Sequence, residues 1–176
     1  MFCGSAFGKL GEFPPDGYQA TLPDGTLSSD GLFFPRFDCF GKEIAVTAPG
    51  VAVVSSIPGD NFAAWDGISM AAPHVTGLTA LVLAHNNEFQ TTYAARDAAR
   101  VDRLFAVLRE SCGSVGLGDP LRTGSGTPDI GKALSLTYIG ADGTGASNAE
   151  LQLARQISEV VLVVLEVGAA LVRLDG

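Results

Sequence analysis

The sequence predicts an α/β fold built around one buried helix. Residues 43–47 and 51–57 are short, β-branched and apolar, and Pro and Gly bound them, which is strand composition. Residues 69–85 are long enough for a helix and apolar on every face, with Leu78, Ala80, Leu81, Val82, Leu83 and Ala84 close together. A helix of that kind belongs in a core.

Taken in order, residues 1–8 read as a short buried strand. Residues 13–38 change character, with Pro14-Pro15-Asp16-Gly17, Pro23-Asp24-Gly25 and Ser28-Ser29-Asp30-Gly31 in succession. Proline fixes φ and glycine accepts positive φ, so this stretch predicts a long surface loop or hairpin. A strand over 43–47 leads through Ala48-Pro49-Gly50 into a buried strand over 51–57. Pro58-Gly59-Asp60-Asn61 turns the chain, and residues 62–65 return as the second arm of a hairpin. The apolar helix over 69–85 follows, with Pro73 placed in its first turn, where a missing N–H costs little. A second helix spans about 93–112. Its stripe is Ala94, Ala98, Val101, Leu104 or Phe105, Leu108 and Cys112, and Arg96, Asp97, Arg100, Arg103 and Arg109 form a solvated face. Residues 130–134 form a short helix after a Gly-rich connection. Residues 137–149 read as a linker, and 150–176 as an apolar tail of unassigned role. Its run from Val160 to Leu165 is flanked by Glu159 and Glu166 and is too short to span a membrane.

Composition narrows the function. The chain has 176 residues, 47% of them hydrophobic, enough for one sizeable core. A net charge of −8 leaves no basic surface to neutralise phosphates, which argues against nucleic acid as a partner. Cys3, Cys39 and Cys112 are odd in number and contain no C-x-x-C pair, so they read as buried thiols rather than disulfides or zinc ligands. Met1-Phe2-Cys3-Gly4 has no basic n-region, so no signal peptide is visible. Gly124-Ser125-Gly126 is not a phosphate loop, because no Lys follows it.

The chemistry is concentrated in Gly67-Ile68-Ser69-Met70-Ala71-Ala72-Pro73-His74-Val75-Thr76-Gly77. Here a serine sits where an irregular turn becomes the apolar helix. Its hydroxyl can be exposed while its N–H joins the unpaired donors of the helix start, whose partial positive charge suits an oxyanion. The stretch resembles the nucleophile motif of the subtilases, the subtilisin-like serine proteases, G-T-S-M-A-x-P-H-V-x-G. It departs only at Ile68, where the family has Thr. Ala48-Pro49-Gly50 matches the family's A-P-G. Phe37-Asp38-Cys39-Phe40-Gly41 stands loosely in the place of its S-x-x-G turn. Gly124-Ser125-Gly126-Thr127-Pro128-Asp129, with Ala133 beyond, resembles its closing pattern. The resemblance covers roughly residues 1–136, as the C-terminal part of a peptidase domain with 13–38 as a loop insertion.

The resemblance implies a doubly wound, mostly parallel sheet with the central helix starting at the nucleophile. It also implies peptide-bond hydrolysis through an acyl-enzyme on Ser69, peptide or protein substrates and an extracellular location. Gly67, Ile68, Met70, Pro73, His74 and Gly77 then support the motif. Met70 lines the serine's surroundings, Pro73 and Gly77 shape the helix, and His74 is structural. Ile68 lacks the threonine hydroxyl, a loss of about 1 kcal/mol if that group braces the turn.

A serine hydroxyl is a poor nucleophile until a histidine, oriented by a carboxylate, takes its proton. In this family the order is Asp, His, Ser, yet both histidines here follow Ser69. His74 should leave a different helix face from Ser69, and His85 lies roughly 24 Å along the axis. The triad Asp and His are therefore expected outside this sequence, and so is the oxyanion Asn, because Asn61, Asn86 and Asn87 sit in other contexts. The chain alone is expected to be inactive, with a missing N-terminal portion or a second copy as its expected partner. A pseudoprotease or remnant with a binding role is one alternative. An α/β-hydrolase esterase is another, but that order needs a histidine late in the chain, and none follows His85. No cofactor is expected. Calcium enters only through the resemblance, and the spacing of Asp16, Asp24 and Asp30 matches no calcium loop.

Overall fold

The computed structural model describes residues 2–135. At its centre β1 (Cys3–Lys9) lies parallel to β3 (Ile44–Pro49), paired from Cys3↔Ile44 to Phe7↔Pro49. The short β2 (Leu32–Phe33) pairs antiparallel with the end of β1, giving the order β2-β1-β3. β4 (Val53–Ile57) and β5 (Asn61–Trp65) form a separate antiparallel hairpin. α1 (Ile68–His85) packs against both β1 and β3, and α2 (Asn87–Gln90) and α3 (Ala98–Glu110) follow. The short helices α4 (Pro120–Thr123) and α5 (Ile130–Ser135) lie against β3 and against α1, respectively. A parallel strand pair with a helix packed across it is the α/β arrangement expected.

Small side chains set the closest approach. Ala6, Ala48 and Ala71 are buried together where α1 meets the sheet, so the helix comes close to the strands. Larger groups fill the other end of α1, where Val82, Phe89, Leu104, Val107, Leu108 and Ala133 form one cluster.

Several expectations need correction. The 13–38 segment is not purely a surface loop, because Phe33, Phe34 and Pro35 are fully buried and Leu22 packs with Phe33 and Val51. Its turns face solvent while Phe33 and Phe34 enter the core. The 51–57 strand is not buried: among the described residues β4 pairs only with β5, and Ser55 and Ser56 are exposed. The second helix starts later than expected, at Ala98, capped by Asp97 accepting from the Arg100 N–H at 3.0 Å. Its buried stripe is Leu104, Val107 and Leu108, whereas Val101 is exposed. Two of its arginines are not on a solvated face. Arg100 donates to the Phe89 carbonyl at 2.7 Å and to the Tyr93 carbonyl, and Arg103 pairs with Glu88 at 2.7 Å, which ties α3 to α2. The cysteines are not all buried. Cys39 is exposed and Cys3 and Cys112 are half-buried, with burial pushing the Cys112 thiol up to about 11. Pro73 is the sixth residue of α1, not part of its first turn, so the N–H it lacks is the one that would meet the Ser69 carbonyl.

α1 runs where the sequence places it, but only Ala71 and Val82 are buried among the described residues. The sheet, α3 and α5 cover one side of it, and the described residues supply no second layer. The 137–149 linker and the 150–176 tail lie outside the described residues.

One cation fastens the 13–38 segment. Arg122 on α4 pairs with the carboxylates of Asp24 and Asp38 (3.2 Å for Asp38), donates to the Pro35 carbonyl at 3.3 Å, and lies 4.1 Å over the Phe34 ring. Its own carbonyl accepts from the Ser5 hydroxyl, and Asp38 also accepts from the Ala6 N–H at 2.8 Å. Burial is the strongest influence on Asp38 and holds its pKa above the ordinary carboxylate value, against the pull of the Ala6 N–H and Arg122. At Asp24 burial also pushes upward, but bonds from Arg122 and Thr26 outweigh it and the pKa is lowered.

Removing one partner of a buried ion pair typically costs about 3–5 kcal/mol. Arg122→Met should lower the unfolding free energy by about that amount in urea melts at neutral pH. The two carboxylates act with opposite sign on acidification. Asp24 titrates lower folded than unfolded, so its contribution is present above about pH 4 and lost as pH falls through its folded value. Asp38 titrates higher folded, so its protonation favours the fold as pH falls. Urea midpoints between pH 3 and 6 should therefore show that Asp24→Asn flattens the acid loss of stability and Asp38→Asn does not.

Candidate active site around Ser69

Two glycines bring the end of β3 to the start of α1. The Gly50 N–H donates to the Phe7 carbonyl at 2.9 Å, and the Gly50 carbonyl accepts from the Gly67 N–H at 2.8 Å. A Cβ on Gly50 would stand 2.7 Å from Ala6 Cβ and 2.9 Å from the Gly67 oxygen, so no side chain fits there. Gly67 has φ 151°, a backbone conformation that favours glycine, and its carbonyl accepts from the Met70 N–H at 3.0 Å to open the helix.

Between the two glycines the β4–β5 hairpin is held at its base by Asp66. One carboxylate oxygen accepts from the Ala52 N–H at 2.7 Å, and the other accepts from Gln19 Nε2 at 3.1 Å. Ala52 has φ 54°, and the bond to Asp66 steadies that left-handed turn. Sequence reasoning missed this clamp. The available signal was a carboxylate immediately before the Gly67 turn, since short acidic side chains commonly bond nearby backbone N–H groups.

Ser69 is exposed in the first turn of α1, and neither its N–H nor its hydroxyl has a hydrogen-bond partner among the described residues. It lies in a groove of about 370 Å³ between the hairpin and α1, with Val54, Trp65, Met70, Pro73 and His74 in the walls. Met70 is half-buried beside Gly67, its sulfur 3.4 Å from the place a Gly67 Cβ would occupy. Ile68 turns inward to pack with Ala6, Ala48 and Ala71. An apolar contact thus stands at the position where the resembled motif carries a hydroxyl.

His74 shares a groove with Ser69, contrary to the expectation of separate faces. The groove is wide enough to take side chains from adjoining stripes of the helix. His74 Nδ1 lies 2.9 Å from the Met70 carbonyl, and no hydrogen bond joins it to Ser69. His85 is exposed at the far end of α1. Gly77 is exposed with open space around it, so among the described residues no neighbour makes use of its small size. Asn61 is exposed on the hairpin, Asn87 is exposed at the start of α2, and the fully buried Asn86 caps α2 through the Glu88 N–H. Asp24 is committed to Arg122 and Thr26, while Asp16 and Asp30 are exposed loop residues. Among the described residues no cluster of three or more His, Cys, Asp or Glu side chains is placed to hold a metal.

An exposed serine on the first turn of a helix that follows a parallel strand and a hairpin defines a candidate hydrolase site. The comparisons show what this stretch is similar to. The model of the Subtilase family matches residues 35–104, a stretch that contains β3, the hairpin, α1, α2 and the first half of α3. Subtilisin NAT of Bacillus subtilis subsp. natto is 41% identical over 69 residues, 39% of this chain and 18% of that protein. Subtilisin DY of Bacillus licheniformis is 34% identical over 116 residues, 66% of this chain and 38% of that protein. Alkaline elastase YaB of a Bacillus strain is 46% identical over 50 residues, 28% of this chain and 13% of that protein. Over residues 35–104 the chain is similar to the subtilases, and these matches span well under half the length of those relatives.

Gly50→Ala should cost about 1–3 kcal/mol through overpacking against Ala6 and the Gly67 carbonyl. Guanidinium melts followed by the fluorescence of Trp65, the single tryptophan, would measure this loss.

Proposed function

We propose that this chain carries the nucleophile of a subtilisin-like serine endopeptidase, with residues 1–136 forming the C-terminal part of its peptidase domain. The unpartnered N–H and hydroxyl of Ser69, an exposed residue in the wall of an apolar groove, carry this reading. The hydroxyl oxygen attacks the carbonyl carbon of a peptide lying in the groove, and its proton passes to a histidine base. The Ser69 N–H then donates to the oxyanion, aided by the unpaired donors of the helix start. As the tetrahedral intermediate collapses, the histidinium gives its proton to the departing nitrogen, the amine leaves with the acyl group on Ser69, and water, deprotonated by the same histidine, releases it by the reverse path.

Ser69 has no base bonded to it among the described residues, and His74 is engaged with the Met70 carbonyl. The base, its orienting carboxylate and the second oxyanion donor come, on this reading, from another portion of the fold. An extracellular location belongs to the same proposal and rests on the family. A second reading, an inactive pseudoprotease, gains from Ile68, whose side chain packs into the core at the motif's threonine position.

In subtilisin the established cost of removing the serine or the histidine alone is about 10⁶ in kcat. The 176-residue chain alone should therefore show no fluorophosphonate labelling and no peptidase turnover. A version extended by an in-frame segment with the Asp and His motifs should label at Ser69, and Ser69→Ala should abolish the labelling. Labelling of the isolated chain at Ser69 would show that it holds its own base. An extended version that folds but does not label would favour the pseudoprotease.

A further inference from the structure

A second groove, of about 270 Å³, lies between the β1–β3 sheet, α1 and α3, with Phe2, Ile68, Ala72, Val75, Thr79 and Phe105 among its walls. The α1 residues recur at intervals of three or four, so one stripe of the helix faces this groove while the stripe with Ser69 faces the other. Ala72 and Thr76 are exposed on the stripe, and Ile68, Val75 and Thr79 are half-buried. The described residues leave this wall open.

We propose that the chain's own apolar run, Val160-Val161-Leu162-Val163-Val164-Leu165, docks in this second groove and covers this stripe of α1. Three observations select this occupant. The first is where the described chain ends. α5 packs on α1, and its Ala133 shares a buried cluster with Leu108, which is itself a wall of the groove. The second is reach. Twenty-four residues separate Ser135 from Val160, and a flexible chain of that length has a typical end-to-end distance of roughly 25–30 Å. The 18 residues of α1 measure about 27 Å, so the run can reach any point along the groove.

The third observation is charge. Arg109 lies 5.1 Å over the ring of Phe2 at the groove and pairs with no carboxylate among the described residues. The apolar run carries Glu159 at one end and Glu166 at the other, so either carboxylate can meet that guanidinium as the six apolar residues enter the groove. The site lies on a different stripe of α1 from Ser69, so docking leaves the serine's groove open.

The test uses the full 176-residue chain with p-benzoylphenylalanine in place of Phe105, irradiated and mapped by mass spectrometry. The expected result is a crosslink to residues 159–166 within the same chain, in a monomer by light scattering. Leu162→Glu combined with Val163→Glu should weaken that crosslink at least about tenfold, because two buried aliphatic side chains are replaced by charges. Crosslinks that join differently isotope-labelled copies would overturn the proposal and make a second chain the occupant. Crosslinks that avoid the tail would also overturn it. If the Phe105 variant does not fold, the same photoreactive residue at Val163 must crosslink to the neighbourhood of Phe2, Ile68 or Phe105, and failure to do so overturns the proposal equally.

Discussion

The hydrogen bond from the Gly67 N–H to the Gly50 carbonyl joins the end of the parallel sheet to the start of α1, and the geometry at Ser69 depends on it. Gly50 is also bonded to Phe7 on β1, so the sheet, the turn and the helix start share one small patch of backbone. A side chain at Gly50 would separate them. With the join intact, Gly67 adopts a conformation open to glycine, its carbonyl receives the first helical N–H, and Ser69 is left unpartnered in the wall of the groove. Backbone alone sets the position of the serine, since no side chain among the described residues is bonded to it.

The segment 13–38 reinforces that arrangement from a distance. Gln19 reaches Asp66 at the hairpin base, while Asp24 and Asp38 reach Arg122 on α4. Asp38 also accepts from the N–H of Ala6, the residue against which Gly50 packs. The buried ionic cluster and the glycine join therefore meet at one strand residue. A cluster of this kind adds little net stability over an apolar equivalent but strongly penalises loss of one member. It fixes position more than it adds stability.

The elements nearest the serine were the most legible in the sequence. β3, the hairpin and α1 follow from β-branched runs, a Pro-Gly turn and an unbroken apolar helix, and each of those signals is local. The errors arise where partners are distant in sequence. Phe33 and Phe34 lie among turn residues, and their burial depends on Val51 and Leu117, which no local pattern reveals. Arg100 and Arg103 look solvent-facing by helical period, yet they serve a carbonyl and a carboxylate of α2 and the Tyr93 carbonyl just beyond it. The apolar character of α1 predicts burial on all sides, whereas the described residues cover one side only. At the site Ser69 was evident from its motif. The Asp66–Gln19 clamp was not, because it joins residues 47 positions apart. Ile68 departs from the motif at a position where an inward-facing apolar side chain completes the contact between helix and sheet.

Amide hydrogen exchange, resolved for Gly67 and Ser69 by NMR on the full chain, tests the glycine join most directly. The Gly67 amide, bonded to Gly50, should be protected to nearly the extent of the interior of α1. The Ser69 amide, two residues later and unpartnered, should exchange close to the rate of an unstructured peptide. A Gly67 amide as labile as that of Ser69 would contradict the account, and so would strong protection at Ser69.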